Sequence, residues 1–203
     1  MKKTVLLSIL AAASPFVVGG CASAHYVQTG GRESVVTVGQ INIQDFIQAA
    51  EAAVKDLLNP QPTGTPCVLD KVANPPAVLA ISRIINNTGQ QIDTDLLTKK
   101  IRVALLNSGK AQTTTTLGLG GTSEDPMAKG LQDKSEFDND QKTTRKPDFT
   151  LSGKIIELPV RSGSTRQSTF SFQLSLTDPK SGLAVWEGEK EITKQGTRSA
   201  VGF

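Results

Sequence analysis

The chain has 203 residues, with 22 basic side chains, 19 acidic ones, one histidine and two cysteines. Lys2 and Lys3 belong to a leader, so the rest carries 20 basic against 19 acidic groups and offers no electrostatic support for a nucleic-acid partner. The lone histidine, His25, excludes Ser-His and Cys-His catalysis and starves any zinc site.

The two lysines precede an apolar run over residues 5–13 that is too short to span a bilayer permanently. It leads to Val18-Gly19-Gly20-Cys21, small residues followed directly by a thiol, which resembles a lipobox. Residues 1–20 therefore read as a signal peptide and Cys21 as the acylated start of the mature chain, tethered to a membrane. Once Cys21 is acylated only Cys67 remains, so no internal disulfide is available and Cys67 reads as a small, half-buried side chain. Residues 22–34 are small, polar and glycine-containing, a linker reaching at most about 45 Å at ~3.5 Å per residue. A single globular domain follows over 35–195, with 196–203 as a tail.

Val35, Val36 and Val38 suggest an extended lead-in. From Asn42, a plausible N-cap, Ile43, Phe46, Ile47, Ala50, Val54, Leu57 and Leu58 fall on one helical face, and Asn59-Pro60 stops the helix. Residues 77–86 are β-branched and almost continuously apolar, which predicts a strand buried on both faces. A turn at Asn86-Asn87-Thr88-Gly89 leads to a second helix capped by Asp93 or Thr94 and closed by Gly109, with Lys99, Lys100 and Arg102 toward its C-terminal half. Residues 111–117 read as a second strand, and the segment around Met127 to Leu131 as a short helix. Three strands follow at 148–157, 166–176 and 183–193, the last two joined by a turn at Asp178-Pro179-Lys180-Ser181-Gly182. Phe170, Phe172, Leu174 and Leu176 share one face of the middle strand. The order predicts an α+β two-layer sandwich, a mixed but mostly antiparallel sheet packed with helices.

Little in this pattern carries reaction chemistry. The glycine-rich segment 117–123 lacks the Gly-Lys-Ser/Thr of a phosphate loop and reads as a loop on the sheet rim. The acidic group Asp133, Glu136, Asp138 and Asp140 lacks calcium-loop spacing, with Phe137 where an oxygen ligand is needed. Trp186 reads as a packing residue, and no carboxylate pair stands out for glycoside hydrolysis. Neither a metal nor a cofactor is expected, nor a small-molecule substrate.

The segments Ile81-Ser82-Arg83-Ile84-Ile85-Asn86-Asn87-Thr88, Leu105-Leu106-Asn107-Ser108-Gly109-Lys110, Asp148 through Gly153, and Thr177 through Glu189 resemble the LpoB-type penicillin-binding protein activators over residues 40–193. The resemblance implies a fold similar to the N-terminal domain of TolB. It also implies a non-enzymatic outer-membrane lipoprotein that faces the periplasm, binds a bifunctional class A penicillin-binding protein and stimulates peptidoglycan synthesis. Ala22, in place of an aspartate after Cys21, agrees with the outer membrane. The long proline-rich arm of the best-known members has no counterpart in residues 22–34. On this reading the partner surface includes Arg145, Lys146 and Phe149, at the start of the first meander strand. The alternative is a TolB-like structural adaptor in an envelope assembly without a synthase partner.

Overall fold

The computed structural model describes residues 25–59, 66–116, 123–137 and 145–197. Cys21, most of the glycine-rich segment, and Asp138 and Asp140 lie outside them. The helical period after Asn42 folds as α1, Ile43–Leu58, and the Asp45 carboxylate accepts the Asn42 backbone N–H at 2.7 Å, closing the first turn. Phe46, Ala49, Ala50, Val54 and Leu57 are buried while Ile43 is exposed, so the apolar stripe is turned slightly from its expected position. The second helix, α2, spans Thr94–Asn107. Asp93 caps it by accepting the Asp95 N–H at 2.9 Å, and Gly109 follows its end in the left-handed region at φ +69°. Arg102 does not sit in solvent on this helix; it is buried and paired with Glu124.

Strand β1, Ala77–Asn87, is buried on both faces, as its composition predicts, only over its first half, where Ala77, Val78 and Leu79 are all covered. Its register with the third strand shifts between Ile81 and Ile84, a bulge that returns Ile84 to the core and leaves Ser82, Arg83 and Ile85 exposed. The nearly continuous apolar run is therefore a first half buried on both faces, followed after the bulge by a half buried on one. Strand β2 covers only Ala111–Thr113, shorter than expected, and pairs parallel to β1. Helix α3, Pro126–Phe137, buries none of its residues.

The meander forms as expected, from β3, Phe149–Ser162, β4, Thr165–Asp178, and β5, Leu183–Thr197. The first two strands run past their expected limits to a tight turn in which Gly163 takes φ +57°. Pro159 sits inside β3, beyond the last residue that pairs with β1, at an edge that tolerates a missing donor. The sheet order is β2-β1-β3-β4-β5, with β1 parallel to both neighbours and the meander antiparallel.

Helices α1 and α2 cover one face of this mixed sheet, giving the α+β sandwich. Leu79, Leu151, Ile155, Phe170, Leu176, Leu97, Ile101 and Leu105 are almost completely buried, each contributing roughly 1.5–3 kcal/mol. Phe46 of α1 meets Phe172 of β4 edge-on, ring centres 6.2 Å apart. At Gly153 an added Cβ would strike the Leu174 side chain and come within 2.7 Å of the Gln173 carbonyl oxygen, so only glycine lets β3 and β4 approach there.

The strands run between two poles. One gathers the start of α1, the end of β5 and the β3–β4 turn, because Lys194 Nζ reaches the Gln40 carbonyl at 2.7 Å and Thr165 pairs with Thr197. The other gathers the starts of β1 and β3 and the β4–β5 turn, since Asp148 and Val78 exchange two hydrogen bonds of 2.8 Å.

Candidate functional site

The residues expected at the start of β3 are divided by the alternation of the strand. Phe149 lies on the same side as Leu151 and Ile155 and is 8% exposed, a core residue, which corrects the expectation of an aromatic contact in solvent. Lys146 is exposed. Arg145 is exposed too, but its guanidinium donates to the carbonyls of Asn74 and Pro76 and lies 3.3 Å from the Asp148 carboxylate. It ties the approach to β3 onto the start of β1. His25 stands exposed before the domain. Cys67 is free, more buried than expected at 4% exposure, and its thiol donates to the Leu57 carbonyl at 3.1 Å.

A different set of polar groups converges on the sheet face that α1 and α2 leave uncovered. Because Phe170, Phe172, Leu174 and Leu176 point into the core, Ser171, Gln173 and Ser175 point the other way, and the register brings Glu191, Glu189 and Glu187 of β5 beside them. From β3 come Ser152 and Lys154, and the bulge of β1 turns Ser82 and Arg83 out beside them. All of these except Ser171 and Glu191 line an open trough of about 680 Å³. It is basic on one bank, at Arg83 and Lys154, and acidic on the other, at Glu187 and Glu189.

The acidic bank is held in place by hydrogen bonds. Gln173 Nε2 donates to Glu189 at 2.8 Å, Ser171 donates to the same carboxylate, and Ser175 donates to Glu187 at 3.3 Å. The Gln173 and Ser171 bonds hold the Glu189 carboxyl below its ordinary range, with a smaller contribution from the charge of Lys154 and partial desolvation opposing them. Among the described residues no group of three metal-ligating side chains comes together. What the arrangement offers is recognition: fixed charges of both signs spread across a rigid sheet. The reading of the sequence missed this surface because its members sit on four strands. The available signal was the polar phase of β4, opposite its phenylalanines.

A second polar cluster unseen in the sequence is structural. Lys194 and Asp45 form an ion pair with both side chains buried, and Lys194 Nζ also donates to the Asn42 side chain at 2.6 Å and lies 5.5 Å from the centre of the Phe170 ring. It locks the end of β5 onto the start of α1.

The family described as peptidoglycan-synthase activator LpoB matches residues 45–192, which run from the first turn of α1 into β5. Among solved structures, the LpoB C-terminal domain from Salmonella enterica is 16% identical, with a TM-score of 0.43, covering 73% of this chain and 98% of that one. Lipoprotein GNA1162 from Neisseria meningitidis is 13% identical, with a TM-score of 0.39 and coverage of 62% and 89%. The PelC dodecamer from Paraburkholderia phytofirmans is 15% identical, with a TM-score of 0.34 and coverage of 61% and 76%. No curated protein matches. With the family match spanning both covering helices and the sheet between them, the chain belongs to the LpoB family of peptidoglycan-synthase activators.

Proposed function

We propose that this chain is an outer-membrane lipoprotein, acylated at Cys21, whose periplasmic domain binds a bifunctional class A penicillin-binding protein and stimulates its synthesis of peptidoglycan. The observation that carries the reading is the family match over residues 45–192. The trough is consistent with it, since an activator works by binding the active state of its partner more tightly than the inactive one and needs no reactive group. Arg83 and Lys154 on one bank and Glu187 and Glu189 on the other form the centre of the contact, and Lys146 extends it toward the pole where β3 begins.

Capture with the purified domain tests this directly. A class A synthase is retained, and the double variant Arg83→Glu with Lys154→Glu weakens retention about 10-fold or more, because like charges then face the partner's acidic groups. Recovery of no penicillin-binding protein above a bare-resin control contradicts the proposal. The adaptor reading draws its support from the shortness of residues 22–34, and it predicts capture of an envelope assembly component without a synthase.

A further inference from the structure

The chain between Cys21 and the domain is shorter in effect than its residue count. Gly31 N–H donates to the Gln28 carbonyl at 2.9 Å, Ser34 N–H to the Gly31 carbonyl at 3.1 Å, and the Ser34 hydroxyl to the Gln28 carbonyl at 2.9 Å. The segment from Gln28 to Ser34 is thus wound into turns, and Gly30 lies against Gln44 of α1. From Cys21 to Gln28 the chain reaches at most about 25 Å at ~3.5 Å per residue.

This places one pole of the domain toward whatever holds Cys21. Val38 rests on Gly196 of β5; Gly196 pairs with Arg166, and Arg166 pairs with Arg161 across the β3–β4 hairpin. The tether therefore arrives beside two arginines. Residues 158–169 contain those two charges and no carboxylate; Glu157 precedes them and accepts from Gln90 and Ser168, and Glu33 stands just before the lead-in. Around the arginines Val35, Val36 and Val160 are 78%, 63% and 56% exposed, and Tyr26 on the tether is fully exposed. Exposed apolar side chains interleaved with arginines, with an aromatic near the anchor, suit the headgroup region of an anionic bilayer.

We infer that this pole, the β3–β4 hairpin tip together with the lead-in at Val35 and Val36, docks on the anionic lipid surface of the membrane that holds Cys21. The inference rests on the reading of Cys21 as the lipid anchor. Docking fixes the orientation of the domain. The opposite pole, with Lys146 and the β4–β5 turn, then points away from the bilayer, about 45 Å along β4 at ~3.3 Å per residue, and the trough stands at the side, open to a partner.

The test uses the acylated full chain reconstituted in vesicles of phosphatidylethanolamine and phosphatidylglycerol at 7:3 carrying a headgroup quencher. A thiol-reactive dye is placed at the hairpin tip (Ser164→Cys) or at the opposite turn (Lys180→Cys); buried Cys67 does not compete. The tip dye is quenched strongly and the opposite dye weakly. Arg161→Ala with Arg166→Ala shifts the docked population about 30-fold toward the free one, as expected for about 1 kcal/mol per arginine near an anionic surface, and tip quenching falls toward that of the opposite dye. Equal quenching at the two positions, or tip quenching unchanged by the arginine substitutions, overturns the docking. Labelled palmitate incorporation is followed in parallel. Its absence removes the anchor reading and this inference together, whereas incorporation with equal quenching removes the docking alone.

Discussion

Lys194 shows how a single buried charge joins two elements that are distant in sequence. Its ammonium meets Asp45, the Asn42 side chain and the Gln40 carbonyl, so its hydrogen-bonding capacity is spent inside the protein. Lys194→Ala leaves the Asp45 carboxylate buried without its counter-charge and lowers unfolding free energy by about 3–5 kcal/mol. Adding Asp45→Asn recovers part of that loss by removing the orphaned charge, a comparison that urea denaturation of the two variants makes directly. A loss below about 1 kcal/mol in Lys194→Ala, as for an exposed pair, would show that the pair is solvated. The sequence holds only a faint trace of this cluster. Trp186, Ile192 and Lys194 lie at even positions on the inward side of β5, but a lysine after a threonine reads as the solvated end of a strand.

Segments that identify the family have local structural jobs, and this explains which elements could be read in advance. In Asp148 through Gly153, Asp148 clasps Val78, Phe149 and Leu151 fill the core, and Gly153 admits Leu174. The run from Thr177 to Glu189 makes a turn, sets Trp186 under α1 and lets its indole lie across Gly188. Caps and turns announce themselves by residue type, so α1, α2 and the β4–β5 turn were legible. The bulge in β1 was not, because it changes phase without changing composition, and the length of β3 was hidden by Pro159, harmless only because β1 has already ended there.

Two predictions belong to these elements. Trp186 Nε1 donates to the Asp56 carboxylate at 3.1 Å and is the only tryptophan, so Asp56→Ala costs about 1.5–3 kcal/mol, as for a hydrogen bond to a charged group, and shifts the tryptophan emission. Unchanged emission and stability would mean that the bond does not hold α1 to β5. In the β4–β5 turn, the Lys180 backbone N–H and the Ser181 hydroxyl hold the Asp178 carboxyl below its ordinary range. Because the folded value lies below the unfolded one, the stability this gives is complete above the unfolded carboxylate range and is lost as pH falls through the lowered value. Acid unfolding followed by circular dichroism should therefore lose part of its pH dependence in Asp178→Asn; an identical acid profile would rule the turn out as a contributor.

At the scale of the whole molecule, architecture and family were legible because both are spread over many residues, while the recognition surface was not. Arg145, Lys146 and Phe149 are neighbours in sequence, yet alternation sends Phe149 inward and hydrogen bonds tie Arg145 to the start of β1. The trough assembles from four strands whose adjacency exists only after folding. A sheet covered on one face by helices and polar on the other is a geometry for presenting a binding surface to a partner. The most direct measurement is glycan-chain polymerisation by a purified class A penicillin-binding protein with and without this protein. The proposed function predicts a faster rate that saturates with this protein and is lost in Arg83→Glu with Lys154→Glu. A rate unaffected by saturating wild-type protein, at concentrations where the two proteins bind, would contradict it.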